Sequence, residues 1–250
     1  MGNLTERIPK GMLQLYGKTL FEWQIQALHE AGITDIYIVK GYRGEAIPYT
    51  HVGYRENPRW DSTNMFCSLM AASDLFVTDD CVVSYADIVY SAEAVRALLR
   101  GAGDVRITFD TNWLLLWQQR FENPLADAET FSCGENGTLA EIGARAETVD
   151  QIQGQYMGLL YFTPQGWRHA KRASALLPAE KLAALDMTSL LGLLLQHDVE
   201  VSTVPYSRPW GEVDSLSDLV LLEHHQPLRI ELHAAHSGFV NAAAEEPSDE

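Results

Sequence analysis

The sequence predicts an α/β fold: one doubly wound, mostly parallel, Rossmann-like mixed sheet with an inserted lid or β-subregion in its second half. Two patterns carry this expectation. Segments with apolar residues at helical spacing alternate with short runs rich in β-branched residues, which is the rhythm of βαβ units. The chain of 250 residues, 46% hydrophobic and 21% charged, is also long enough to bury the core of one large domain or two small ones.

The elements follow in order. From Gly17 to Gly32, Phe21, Ile25 and Leu28 form one stripe with Leu20, Ala27 and Ala31 beside it, and Gly32 is a natural stop, so a helix is expected. "ITDIYIVKG" reads as a buried strand, "HVGYRE" as a second, "TNMFCSLMAASDLF" as a helix and "CVVSYAD" as a strand. "SAEAVRALLR" then reads as a helix and "DVRITFD" as a strand. After Asp110 the rhythm breaks into a segment with a "GENG" turn, the expected lid or hairpin. "GQYMGLLYF" (strand), "PQGWRHAKRASALL" (helix), "DMTSLLGLLLQHD" (helix with Asp186 as N-cap), "VEVSTVPY" (strand) and "DSLSDLVLLEHH" (helix) complete the pattern. One domain over residues 1–225 is expected, with 226–250 a C-terminal extension whose acidic, alanine-rich end is expected to be disordered.

Charge narrows the function classes. With 18 basic against 34 acidic residues the formal net charge is -16, which argues against a nucleic-acid footprint. A small anionic ligand remains compatible, because a few cations reverse the field locally. Cys67, Cys81 and Cys133 are odd in number and far apart, which points away from a disulfide framework or structural zinc and toward a reducing compartment. The adjacent His224 and His225 read as a solvated face. No signal peptide or membrane-length apolar run is present, and a cytoplasmic location is the expectation.

Chemistry in such a sheet is expected at the carboxyl ends of the strands. Asp87 closes "CVVSYAD" and Asp214 closes "WGEVD", positions suited to a hard cation such as Mg²⁺ and equally suited to a turn or an N-cap. Lys10 stands in a short polar loop where a solvated side chain is the ordinary reading. Trp113 and Trp117, four residues apart beside Asp110, together with Tyr156 and Trp210, suit either an ammonium cage or a core-facing stripe. The "TNM" of Thr63, Asn64 and Met65 suits capping or a contact to a base.

"IPKGMLQLYGKTLFEWQIQALHEAGITDIYIVKGYRGEAI" resembles the N-terminal half of the sugar-nucleotide-type nucleotidyltransferases, in which a proline-lysine pair precedes a "GKPL" helix and a "GI.DI.IV.GY" strand. "ENPRW..TNMFCSL", "VVSYADIVY", "QGQYMGLLYFTP", "DMTSLL" and "WGEVDSLSDL" resemble the bacterial phosphocholine cytidylyltransferase-like branch, related to the 2-aminoethylphosphonate cytidylyltransferases. The resemblance runs to about Glu223. It implies a phosphate-contacting role for Lys10, metal binding by Asp87 and Asp214, a base-side position for Thr63, Asn64 and Ser68, and an acceptor-side position for Asp110, Trp113, Tyr156 and Trp210. It implies Mg²⁺ as cofactor, and CTP and a small anionic acceptor carrying a cationic amine as partners, without membrane insertion; a homodimer is left open.

The implied reaction is transfer of CMP to a phosphocholine-like acceptor with release of pyrophosphate, the alternatives being 2-aminoethylphosphonate or a sugar 1-phosphate. The resemblance also implies a first strand and a glycine-rich Gly-x-Gly-x-Arg loop ahead of "LTERIPKG", where this sequence has "MGN". Without that strand the sheet is expected to expose free edges. A late start is the expectation; a non-catalytic nucleotide-binding remnant is the reading of another class.

Overall fold

A computed structural model of the chain describes residues 2–234. Strands β1 (Gln14–Leu15) and β2 (Lys18–Thr19) form a small hairpin that delivers the chain into helix α1 (Leu20–Glu30). Thr19 caps α1, its hydroxyl accepting from the Glu22 amide while the Glu22 carboxylate accepts from the Thr19 amide. At the other end Gly32, at φ +92°, turns the chain so that the Gly32 and Ile33 amides satisfy the carbonyls of His29 and Leu28.

The remaining elements are β3 (Tyr37–Lys40), β4 (Gly53–Glu56), α2 (Met65–Met70), β5 (Cys81–Ser84), β6 (Ile88–Val89), α3 (Ala92–Arg100), β7 (Val105–Asp110), α4 (Trp113–Arg120), β8 (Glu129–Cys133) and β9 (Leu139–Arg145). After these come β10 (Gln155–Phe162), α5 (Pro164–Ser174), α6 (Ala179–Ala183), α7 (Met187–Gln196), β11 (Ser202–Tyr206), β12 (Gly211–Glu212), α8 (Leu216–His224) and α9 (Gln226–Ala234). The central four-stranded sheet has the order β11-β7-β10-β5. β11 is parallel to β7, and β10 is antiparallel to both β7 and β5. The strands β5, β7 and β11 therefore share one direction, and β10 alone is reversed.

Both faces of this sheet are covered. Val105, Ile107 and Phe109 of β7 join Trp167 of α5 and Leu190, Leu191 and Leu194 of α7 in one core. On β10, Leu160 and Phe162 enter that core, whereas Met157, Leu159 and Tyr161 enter a second one with Val95 and Leu98 of α3. The two-residue alternation of a strand buried on both sides thus feeds two helical layers, as in a doubly wound fold. The nearly continuous apolar character of "GQYMGLLYF" follows from this.

Several elements differ from the sequence expectation. The helix expected over "TNMFCSLMAASDLF" is helical only to Met70, and turns carry the chain on to β5. The strand expected over "CVVSYAD" ends at Ser84, leaving Asp87 in a turn. The segment after Asp110 opens with α4 before the expected hairpin, β8–β9, which closes around "GENG". Past residue 225, Leu228 and Leu232 of α9 are buried in one cluster with Trp23 and with Leu219 and Leu222 of α8. His225 is half-buried rather than a solvated residue, its Nδ1 accepting from the Leu228 amide. The disorder expected at the chain end lies outside the described residues.

Among the described residues β3 pairs with β4 alone and β5 with β10 alone. A cleft of about 870 Å³ lies along the other edges of β3 and β5, beneath Phe21, Gln24, Ile25 and Leu28 of α1.

Candidate active site

Asp87 and Asp214 are brought together by a two-stranded pairing apart from the main sheet. β6 and β12 run antiparallel, with Ile88 opposite Glu212 and Val89 opposite Gly211. One step beyond the pair, the Val213 amide donates to the Asp87 carbonyl at 2.9 Å. Buried Gln24 of α1 holds the turn from the other side, its Nε2 donating to the carbonyls of Tyr85 (2.9 Å) and Ile88 (2.7 Å). Asp214 is not the N-cap of α8. That position is taken by Ser215, whose hydroxyl accepts from the Asp218 amide, which leaves the Asp214 carboxylate free for other partners.

Lys10 fills the space between the two carboxylates. Its Nζ donates to Asp87 Oδ2 at 2.9 Å and to Asp214 Oδ1 at 2.7 Å. Burial alone favours the neutral amine, but Asp87 and Asp214 outweigh it and hold Lys10 protonated well beyond its ordinary range.

The second oxygen of Asp214 belongs to a buried arginine. The Arg120 side chain is 1% exposed and meets a different carboxylate at each nitrogen: Nε with Asp218 (2.9 Å), one terminal nitrogen with Glu212 (2.9 Å) and the other with Asp214 (3.0 Å). The rings of Trp117 and Phe121 lie about 5 Å from its guanidinium carbon. Asp218 closes the unit, because its Oδ2 accepts from the amides of Asp214 and Ser215. Burial, followed by the neighbouring Asp214 charge, pushes the Glu212 carboxyl up to about 7. Among the described residues, the ion-pair partners of these four carboxylates are Lys10 and Arg120, so the cluster attracts further positive charge.

The other expected site residues fall into two places. Asn57 Nδ2 joins Thr63 Oγ1 and Ser68 Oγ, at 3.0 Å each. Asn64 caps α2 with its side chain and donates to the Ala184 carbonyl. Ser68 and Asp87 both line the cleft beside β5. Asp110 and Trp210 meet directly, the indole N–H donating to Asp110 Oδ2 at 2.9 Å, and both are buried. Trp113 packs edge-on against Trp117 in the same core, the core-facing stripe left open by the sequence. Tyr156 meets the Tyr85 ring edge-on, and its hydroxyl has no hydrogen-bond partner among the described residues.

Arg120, Gln24 and Asn57 organise the site and were not singled out by sequence reasoning. A buried arginine or amide leaves no periodic trace. The acidic spacing in "WGEVDSLSD" was the available hint for Glu212 and Asp218.

The model of the MobA-like NTP transferase domain matches residues 1–141, more than half of the chain. The chain belongs to that family. A relative from Campylobacter jejuni, a CTP:phosphoglutamine cytidylyltransferase, is 32% identical over 232 residues, covering 86% of this chain and 91% of its own. A choline-phosphate cytidylyltransferase from Streptococcus pneumoniae is 39% identical over 70 residues, 26% of this chain and 31% of its own. Among solved structures, the inositol-1-phosphate CTP transferase from T. maritima superposes with a TM-score of 0.70 at 14% identity, covering 92% of this chain and 89% of that one, a likeness of fold. This MobA-like chain is thus a nucleotidyltransferase by family. No helix among its described residues is long and apolar enough to cross a membrane.

Proposed function

We propose that the protein is a Mg²⁺-dependent cytidylyltransferase that transfers CMP from CTP to a small phosphorylated or phosphonate acceptor and releases pyrophosphate. The observation that carries this reading is the convergence of Asp87 and Asp214 on one cation, Lys10. Two hard carboxylates around one cationic position suit Mg²⁺, which takes one or two carboxylates and completes its shell with water and substrate phosphates. When bound there, Mg²⁺ supplies charge neutralisation on the triphosphate.

The chain's own groups do the rest. Lys10, held protonated, offers its ammonium to phosphate oxygens. An acceptor phosphate oxygen attacks the α-phosphorus in line, forming the new P–O bond as the bond to the β-phosphate bridging oxygen breaks and pyrophosphate leaves. That nucleophile is already anionic at neutral pH, so no general base is needed. Positioning and electrostatics carry the rate.

For the acceptor, phosphocholine, phosphoethanolamine, 2-aminoethylphosphonate and phosphoglutamine all combine a nitrogen group (quaternary ammonium, amine or amide) with a phosphorus oxyanion. The extended similarity to the phosphoglutamine enzyme puts that acceptor beside phosphocholine as the first to test. Pyrophosphate release from CTP and Mg²⁺ across this panel, with glucose 1-phosphate as the sugar control, decides it. Release with one of these nitrogen-bearing acceptors supports the proposal. A second reading, nucleotide binding without turnover, is favoured by the open cleft beside β5; CTP binding without pyrophosphate release for any acceptor is its outcome.

A further inference from the structure

Arg120 lies outside every motif of the resemblance, yet its side chain is held by three ion pairs. Each of its three nitrogens holds a different carboxylate at 2.9–3.0 Å, and its side chain is nearly sealed from solvent. A guanidinium with such a fork imposes direction as well as charge on its partners. Its three partners come from one stretch, Glu212 to Asp218, and Asp218 also grips the backbone amide of Asp214. Asp214 is therefore fixed twice, through its amide by Asp218 and through Oδ2 by Arg120. Only Oδ1 remains turned toward Lys10 and Asp87.

The geometry points to Arg120 as a positioning residue: it aims one oxygen of Asp214 at the cation site and leaves the other unavailable. This rests on the reading of Asp87 and Asp214 as the cation-binding pair. Arg120 itself touches neither Lys10 nor Asp87, and with every nitrogen engaged it is not placed to bind substrate. Arg120 is the last residue of α4, so the end of that helix presents it to the Glu212–Asp218 stretch.

The test uses the full chain as wild type, Arg120→Lys, Asp218→Asn and Asp87→Asn. Free Mn²⁺ is read by electron paramagnetic resonance with and without CTP, beside thermal unfolding and the Mg²⁺ dependence of pyrophosphate release. A lysine reaches fewer carboxylates than the guanidinium fork, so Arg120→Lys weakens Mn²⁺ binding by about 10–100-fold, the effect typical of residues that orient a metal ligand. The half-saturating Mg²⁺ concentration rises by a similar factor, and the rate at saturating metal recovers most of its value. Asp218→Asn, which loosens the same clamp without touching Lys10 or Asp87, moves Mn²⁺ binding in the same direction and covers the case in which Arg120→Lys does not fold. Folded variants that bind Mn²⁺ as tightly as wild type overturn the positioning role, even if less stable. A wild type that binds no Mn²⁺, or binds it equally after Asp87→Asn, overturns the cation-site reading and this inference with it.

Discussion

Lys10 and Asp214 are 204 positions apart in the chain and 2.7 Å apart in the fold. The ammonium bridges two carboxylates that no local segment could bring together, and it stands where a metal ion bound by the same two oxygens would stand. On the proposed reading, a divalent cation would compete with the lysine for Asp87 and Asp214. When Lys10 is replaced by methionine, Mn²⁺ affinity is expected to be retained or to tighten while turnover falls by about 10²-fold or more, the usual loss of one electrostatic stabiliser. Mn²⁺ titration and steady-state kinetics check this, and loss of Mn²⁺ binding with retained turnover contradicts it.

Asp87→Asn and Asp214→Asn keep the shape of each side chain and remove its charge. Each is expected to lower turnover by about 10²-fold or more, while Asp87→Asn leaves thermal stability nearly unchanged because the β6–β12 pairing and the Gln24 clamp use backbone groups. Near-normal rates refute the cation-pair assignment.

Asp218 gives a pH signature. Burial works against its charge, but Arg120 and the Ser215 donors outweigh burial and hold its carboxyl below the ordinary 3.8. A depressed folded-state pKa contributes stability that is complete above the ordinary carboxylate value and is lost as pH falls through the folded value. Asp218→Asn is thus expected to cost about 1.5–3 kcal/mol at neutral pH, the range for hydrogen bonds to charged groups. The penalty shrinks below about pH 4. Denaturant unfolding across that range measures it, and a penalty that grows in acid contradicts the ion-pair role.

Helix α9 packs on α8. Leu228 is fully buried, and Leu228→Ala is expected to cost about 2–5 kcal/mol, as for other buried leucines. A penalty within error of zero in urea unfolding contradicts the packing of α9 on α8.

The alternation of helices and strands was legible because periodicity reports directly on burial: α1, α3, β7, β10 and α7 all stand near their expected places. β6 and β12 were not, since two-residue strands have no period to read. α9 falls in the stretch the sequence assigns to a C-terminal extension, because a single pair of leucines four apart, Leu228 and Leu232, is too short a period to mark a helix. Lys10, Asp87 and Asp214 were legible as a set only through resemblance; spacing alone left each as a loop, turn or cap. Arg120 was invisible, because nothing in "WLLLWQQRF" says that its one cation turns inward among carboxylates of a distant segment. Asp110 and Trp210 meet in the fold, but in a buried contact rather than an open cage.

The most direct test follows the phosphorus atoms. With CTP labelled at the α- or the γ-phosphate, Mg²⁺ and the acceptor panel, the account predicts that α-label enters a CDP-linked product while γ-label leaves as pyrophosphate. Both transfers are expected to vanish in Asp87→Asn. An absence of α-label in any product, or equal transfer by wild type and Asp87→Asn, would contradict it.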